Sequence, residues 1–140
     1  MPPNEAEELS DRVRQLLLGP VDSFEKLEVL LTLHGAAGAP LTFAEVAARA
    51  HLAAEQVDLA TVGLMAAGLI ERTAQDTWRV RGESASVIGD LTVAWATCRP
   101  AVLKIMTDRA LARIRTAAAR RFADAFRLRR RKEDDGDDDG

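Results

Sequence analysis

The stretch from Leu41 to Val80, LTFAEVAARAHLAAEQVDLATVGLMAAGLIERTAQDTWRV, decides the fold of this 140-residue chain. It opens with Thr42, which is followed three residues later by Glu45. A threonine and a glutamate at this spacing can each hydrogen-bond the other's backbone N–H group, so T-F-A-E predicts the start of a helix. His51-Leu52 then interrupts the helical pattern and predicts a turn.

A second helix and two short strands are predicted after this turn. The helix runs from about residue 53 to 67 and ends at Gly68, because glycine adopts the left-handed conformation found at many helix ends. Leu69–Arg72 and Thr77–Val80 are strand-like, and the polar residues between them are typical of a hairpin turn. Trp78 is predicted to pack inward, since aromatic side chains in small sheets mostly lie in the core.

The order helix, turn, helix and hairpin, with A-G-L-I-E-R after the second helix, resembles the winged-helix domains of many bacterial transcription regulators. The resemblance covers roughly residues 22 to 81. It implies a winged helix-turn-helix, mainly α with a small β-hairpin wing, and it implies DNA binding, because the motif's second helix lies in the major groove in such regulators. The same fold also serves as a protein-binding module, so a non-enzymatic interaction adaptor is the alternative.

Two helices are predicted before the quoted stretch. Residues 4–18 form an amphipathic helix, for which Asn4 and Glu7 provide a cap. D-S-F-E at 22–25 is a second capping box. It begins the first helix of the winged domain, whose apolar residues are expected beneath the helix-turn-helix: Phe24, Leu27, Leu30, Leu31 and Leu33.

Two further helices are predicted after the hairpin, beyond a hinge at 82–84. Proline is accepted in the first turn of a helix and disrupts a helix interior, so a break is expected at Arg99-Pro100. A long last helix follows from about residue 101 to 130. The run PAVLKIMTDRALARIRTAAARRFADAFRLRRRK resembles the ending of small bacterial proteins that also carry a winged helix, which brings no activity with it. The predicted segments are an N-terminal helix at 1–20, the winged domain at 21–82, basic C-terminal helices at 83–132 and a disordered acidic tail at 133–140.

Charge is distributed unevenly along the chain, although the formal net charge is only -3. Five basic and eight acidic residues lie between Asp22 and Arg81. Between Arg99 and Lys132 there are twelve basic and two acidic residues, and the last eight residues contribute six negative charges. The C-terminal helices therefore form a basic arm with an acidic end.

The outward face of the motif's second helix is unusual for a helix that contacts DNA. At 100° per residue, the inward face consists of Val57, Thr61, Leu64 and Gly68. The outward face has no lysine or arginine and consists of Glu55, Gln56, Asp58, Leu59, Val62, Gly63 and Ala66. Because carboxylates oppose binding to phosphates, base recognition by this helix is expected to be weak. The alternative is that this face packs on the C-terminal helices or a partner, with Gly63 admitting another helix.

Five arginines of the last helix are predicted to form a stripe, which falls inside an arc of about 40° and is roughly 33 Å long, near one turn of duplex DNA. They are Arg109, Arg113, Arg120, Arg127 and Arg131. Such a row favours contact with a polyanion or an acidic protein over a merely solvated face. The apolar far side is expected to dock on a domain or a second copy, which predicts a homodimer through the C-terminal helices. It consists of Leu103, Ala110, Leu111, Ile114, Ala117, Ala118, Phe122 and Ala125.

The hairpin supplies three further candidate phosphate contacts, Arg79 and Arg81 in the wing and Arg72 on the preceding strand. Wings of this fold often touch the minor groove or the DNA backbone. Double-stranded DNA and an acidic protein are therefore the two partners that the sequence predicts.

Other classes of function have weak support in the sequence. No apolar run approaches the length of about 18 residues that a membrane span needs, and no signal-peptide pattern is present, so a soluble cytoplasmic protein is expected. Cys98 is the single cysteine, and His34 and His51 have no motif around them. No nucleophile has a positioned partner, so neither an enzyme nor a metal or other cofactor is expected.

Overall fold

The computed structural model describes residues 9 to 74 and 76 to 137, with side chains described as far as residue 127. The chain divides into two compact units, Met1–Thr107 and Asp108–Gly140. Over the described residues, the elements are α1 (Asp11–Leu18), α2 (Phe24–Gly35), β1 (Leu41–Thr42), α3 (Phe43–Ala50), α4 (Ala54–Ala66), β2 (Ile70–Arg72), β3 (Thr77–Val80), α5 (Ala85–Thr97) and α6 (Arg99–Asp137), with a 3-10 helix (Gly82–Ser84) between β3 and α5. This order is a winged helix-turn-helix with additional helices at both ends, as the sequence predicts.

Helix α2 lies at the centre of the first unit. It packs against α3, α4, α5 and β3. Leu27 and Leu30 are fully buried, and Leu33 is 1% exposed. The prediction that this apolar helix lies beneath the helix-turn-helix is confirmed, except that Phe24, in its first turn, is 43% exposed.

The sheet has three strands in the described residues, in the order β1-β3-β2, and both pairings are antiparallel. Ile70 pairs with Val80 and Glu71 with Arg79, so the predicted hairpin is present. Strand β1 was not predicted, because two residues carry no periodicity and Leu41 is a strand only through its pairing with Trp78. Trp78 is buried, as expected.

The N-terminal caps of α1 and α2 are both serines. Helix α1 begins at Asp11, because the Ser10 side chain accepts a hydrogen bond from the Val13 N–H at 3.2 Å and caps the helix there. Residues 11–18 of the predicted helix are therefore helical, and the proposed cap at Asn4 and Glu7 lies outside the described residues.

At the start of α2, the cap is Ser23 rather than Asp22. The Ser23 hydroxyl accepts from the Lys26 N–H at 3.3 Å. The Asp22 carboxylate instead accepts from Lys26 Nζ at 2.7 Å. The D-S-F-E box fails because Lys26, and not Glu25, occupies the third position after the residue that caps the helix.

The break between the last two helices is confirmed. Helix α5 ends at Thr97, the next residue Cys98 has a φ of -127° and a ψ of 37° that are not helical, and α6 begins at Arg99. The Arg99 guanidinium lies 4.5 Å from the centre of the Trp95 ring, which gives a cation–π contact across the break.

Helix α6 extends further than predicted. It ends at Asp137 rather than near Arg130, so the first five residues of the segment expected to be disordered are helical. Extending an existing helix is far easier than nucleating a new one, which explains how an acidic segment that could not start a helix can continue one. The last three residues lie outside the described residues.

Gly68 ends α4 in the left-handed conformation, with φ +77°, and a side chain there would meet no atom within 4 Å. Gly68→Ala should therefore destabilise the protein by about 1 kcal/mol through backbone strain alone. Gly35→Ala is the matched control, because Gly35 also has open space but no positive φ. Urea unfolding measures the free energy of unfolding of both variants. Equal values for the two would contradict the left-handed conformation assigned to Gly68.

Candidate nucleic-acid interface

Helix α3 of the motif is fixed at its start by a capping box. The Thr42 hydroxyl accepts from the Glu45 N–H at 3.1 Å, and the Glu45 carboxylate accepts from the Thr42 N–H at 3.2 Å. The backbone N–H of Thr42 and then its side chain lower the pKa of Glu45 below its usual value, and Arg49 adds a smaller effect. The box predicted from T-F-A-E is confirmed.

The turn between α3 and α4 is also fixed by hydrogen bonds. His51 has a φ of 57°, in the left-handed region, and the Leu52 N–H donates to the Ala47 carbonyl at 3.0 Å. The Gln56 side-chain carbonyl accepts from the Ala53 N–H at 2.9 Å and closes the first turn of α4. Local bonds on both sides of the turn therefore determine the direction in which α4 leaves α3.

One face of α4 is buried and the opposite face is exposed. Val57 and Leu64 are fully buried, with Ala60 and Thr61 beside them. The Thr61 hydroxyl is satisfied inside the helix, donating to the Asp58 carbonyl at 3.0 Å. The predicted inward positions are correct for Val57, Thr61 and Leu64, while Ala60 was missed although the 3.6-residue period includes it.

The outward face of α4 carries two carboxylates and a set of apolar side chains. Glu55, Gln56 and Asp58 are exposed. Leu59 is 73% exposed, Val62 56% and Met65 44%. Their contact with DNA or with a protein remains a prediction, but their exposure places them where a ligand can reach them.

Gly63 leaves room for a side chain of α2. A Cβ atom at this position would lie 2.7 Å from Lys26 Cε, so the Lys26 side chain packs against α4 there. The approach of a C-terminal or partner helix to Gly63 stays a prediction. The same lysine bonds to Asp22, which holds its side chain in place.

Each of the three arginines near the wing lies beside a carboxylate of the same unit. Arg79 Nε is 2.6 Å from Glu71 Oε1, across the β2–β3 pair. Arg81 Nη2 is 3.4 Å from Glu83 Oε1. Arg72 pairs with Asp76, and its guanidinium lies 5.9 Å from the centre of the Trp78 ring. The positive charge of the wing is therefore locally compensated.

In the second unit, three of the predicted stripe residues come together along α6. Arg109, Arg113 and Arg120 lie on one face of the helix with Ala112, Thr116 and Ala117 between them. Arg127 is exposed further along the helix, and the side chain of Arg131 lies outside the described residues. Three arginines of the predicted stripe therefore share one face of α6.

Large apolar side chains of the second unit are exposed away from this stripe. Leu111 is 44% exposed, Ile114 64% and Phe122 74%. Phe126, which the sequence prediction missed, is 56% exposed and stacks on Phe122 with ring centres 6.4 Å apart. At 100° per residue, Leu111 and Phe122 lie opposite the arginine stripe, and Ile114 and Phe126 lie about 120° from its centre on either side.

Other kinds of site have little support in the described residues. No group of three or more histidine, cysteine, aspartate or glutamate side chains there could hold a metal ion. Within the same ranges, no helix has the length and apolar character that crossing a membrane requires. A cavity of about 380 Å³ beside α1 and α5 is lined by Asp90, Cys98 and mainly apolar residues.

Comparisons with known proteins add one structural similarity. No protein-family model matches the sequence, and no curated protein matches it either. A solved structure described as a transcriptional regulator of the MarR family from Silicibacter pomeroyi is similar, with a TM-score of 0.48 and 18% identity over 82% of this chain and 83% of that chain. The winged helix-turn-helix assignment rests on the order and pairing of this chain's own elements.

Removing the Thr42 hydroxyl tests the capping box. Thr42→Val should raise the pKa of Glu45 toward its usual value, because the carboxylate loses the side-chain contribution. The lowered pKa in the folded state stabilises the fold above the unfolded-state pKa, and this stabilisation is lost as the pH falls through the folded-state pKa. Thr42→Val should therefore lose less stability on acidification than the parent protein. An NMR titration of the Glu45 side chain measures this pKa in each variant. If Arg49→Gln raised the pKa of Glu45 more than Thr42→Val does, the larger contribution assigned to the Thr42 side chain would be contradicted.

Proposed function

We propose that this chain is a winged-helix regulator that binds duplex DNA mainly through phosphate contacts from the arginine stripe of α6. The observation that carries the proposal is the shared face of α6 on which Arg109, Arg113 and Arg120 lie. Phosphate neutralisation by arginine releases counterions from DNA and supplies most sequence-independent affinity. The proposed function places the protein in the cytoplasm, where it has access to DNA.

The spacing of the stripe arginines along α6 suits contact with the phosphate backbone of DNA. Arg109 and Arg113 are separated by about 6 Å along the helix axis, and Arg113 and Arg120 by about 10 Å. A helix lying along the phosphates could therefore engage several of them with one face. Guanidinium groups suit this role because their planar donors pair with phosphate oxygens through two hydrogen bonds.

The wing and α4 have secondary roles in this proposal. Arg79 would have to exchange the Glu71 carboxylate, 2.6 Å away, for a phosphate, so its net contribution is small. Gln56 is the uncharged polar side chain at the start of α4 and is the candidate for weak base recognition. Glu55 and Asp58 beside it oppose close approach to phosphates.

A homodimer through α6 is part of the proposal. The exposed apolar residues Ile114, Phe122 and Phe126 lie away from the stripe, so a second copy could cover them without blocking the arginines. Two stripes in one assembly would double the number of phosphate contacts. A light-scattering mass equal to one subunit would contradict the dimer.

The second candidate function is a protein-interaction adaptor whose arginine stripe contacts an acidic partner. The exposed apolar face of α4 favours it, because such a face suits protein contacts better than contacts with DNA. An adaptor of this kind would bind no DNA of arbitrary sequence even at low salt.

A salt titration with arbitrary duplex DNA tests the proposal. Affinity measured by fluorescence anisotropy should fall by orders of magnitude between about 50 and 200 mM salt. Arg113→Glu with Arg120→Glu should abolish binding, while Arg79→Glu should weaken it less. Absence of binding at the low-salt end would contradict the proposal and favour the adaptor.

The matched control is Arg115→Glu with Arg121→Glu. Both residues are exposed in the same part of α6, and this pair changes the net charge equally. On the helical wheel both lie outside the stripe but close to the apolar residues proposed for the dimer, so the comparison requires that the two double variants have equal light-scattering mass. Equal losses of affinity in two such variants would show that total charge, rather than the stripe, determines binding, and would contradict the role assigned to Arg109, Arg113 and Arg120.

A further inference from the structure

The outward face of α4 is an exposed apolar surface on a helix whose opposite side is firmly packed. Leu59, Val62 and Ala66 follow one another at spacings of three and four residues, so they lie in one row. Met65 flanks the row, and Glu55 and Asp58 lie at its N-terminal end. Contiguous exposed apolar surface with a polar rim is typical of a protein-interaction site.

The composition of this face is unsuited to DNA. Its charged residues are both carboxylates, and the nearby wing arginines are compensated by Glu71 and Glu83. A phosphate backbone approaching α4 would therefore meet uncompensated negative charge, which lowers affinity. A cationic ligand would instead be attracted by the carboxylates of Glu55 and Asp58.

We infer that the outward face of α4 binds an amphipathic helix of a partner protein. The apolar stripe of that helix would cover Leu59, Val62 and Met65, and its lysines or arginines would lie over Glu55 and Asp58. Apolar side chains spaced three and four residues apart are the usual anchors of helix recognition. The carboxylates at one end of the row would fix the direction of the partner helix.

The neighbouring structure leaves this face rigid and accessible. Val57 and Leu64 anchor α4 from below, and both are fully buried. Lys26 crosses the helix at Gly63 and bonds to Asp22 at 2.7 Å, which closes one flank of the row. The partner helix is therefore confined to the strip between this lysine and Met65. The inference does not depend on DNA binding by α6, because it concerns other residues.

A phage-displayed library of helical peptides, selected on the full chain, tests the inference. Enriched peptides should carry apolar residues at spacings of three and four, with lysine or arginine at one end. Leu59→Gln with Val62→Gln should weaken their binding by about tenfold or more, as loss of central anchors does. Glu55→Gln with Asp58→Asn should weaken it by about threefold, the size expected for exposed ion pairs.

Leu18→Gln with Val93→Gln is the matched control. These residues are 59% and 61% exposed and lie on α1 and α5, so the same chemical change is made away from α4. The control should bind the enriched peptides as the parent chain does. Melting temperatures of all variants verify that each is folded, which is expected because every substituted side chain is exposed.

Several results would overturn the inference. They are failure to enrich any helical peptide, enrichment of acidic peptides, and equal binding to the parent and the Leu59→Gln/Val62→Gln variant. A lower light-scattering mass in that variant would identify the face as an interface between copies. Loss of DNA affinity in that variant would identify it as a DNA contact. Peptide binding without DNA binding would support the inference and refute the proposed function, so the two are tested separately.

Discussion

The packing of α4 on α2 is the constraint on which the rest of the first unit depends. Val57 and Leu64 are fully buried and α4 packs on α2, which fixes the rotation of α4 about its own axis. Each such side chain contributes roughly 2 kcal/mol when buried, whereas an exposed ion pair contributes under about 1 kcal/mol. Apolar packing therefore determines which side of α4 faces solvent. The helical period then requires Leu59 and Val62 to lie on the exposed side, whatever their suitability for DNA.

Two kinds of surface lie on different units of the chain. The helix that usually enters the groove presents carboxylates and apolar side chains. The arginines of the hairpin are matched by Glu71, Asp76 and Glu83. Basic residues outnumber acidic ones in the described part of the second unit, where Arg109, Arg113 and Arg120 share one face of α6. In our account, α6 supplies affinity for a polyanion, and α4 is available for a protein partner.

Local signals in the sequence predicted most of the fold. The box at Thr42 and Glu45, the left-handed Gly68 and the break at Arg99-Pro100 each depend on neighbours within a few residues. Features that depend on distant residues were missed. Strand β1 exists only through pairing with β3, and Lys26 covers Gly63 only because α2 packs on α4. The pairing of Arg79 with Glu71 follows from the hairpin register, and the sequence prediction did not use that register. For the candidate site, the helical period of 3.6 residues predicted which face of α4 is exposed. It also predicted that Arg109, Arg113 and Arg120 share one face of α6. It could not show that the wing arginines lie beside carboxylates.

The central claim is that the second unit, rather than α4, supplies most of the DNA contacts. The most direct measurement is an NMR titration of the isotopically labelled full chain with arbitrary duplex DNA at low salt. Our account predicts that the largest backbone amide shifts lie between Arg109 and Arg127, while the shifts from Glu55 to Ala66 are much smaller. Large shifts along α4, with none between Arg109 and Arg127, would contradict it.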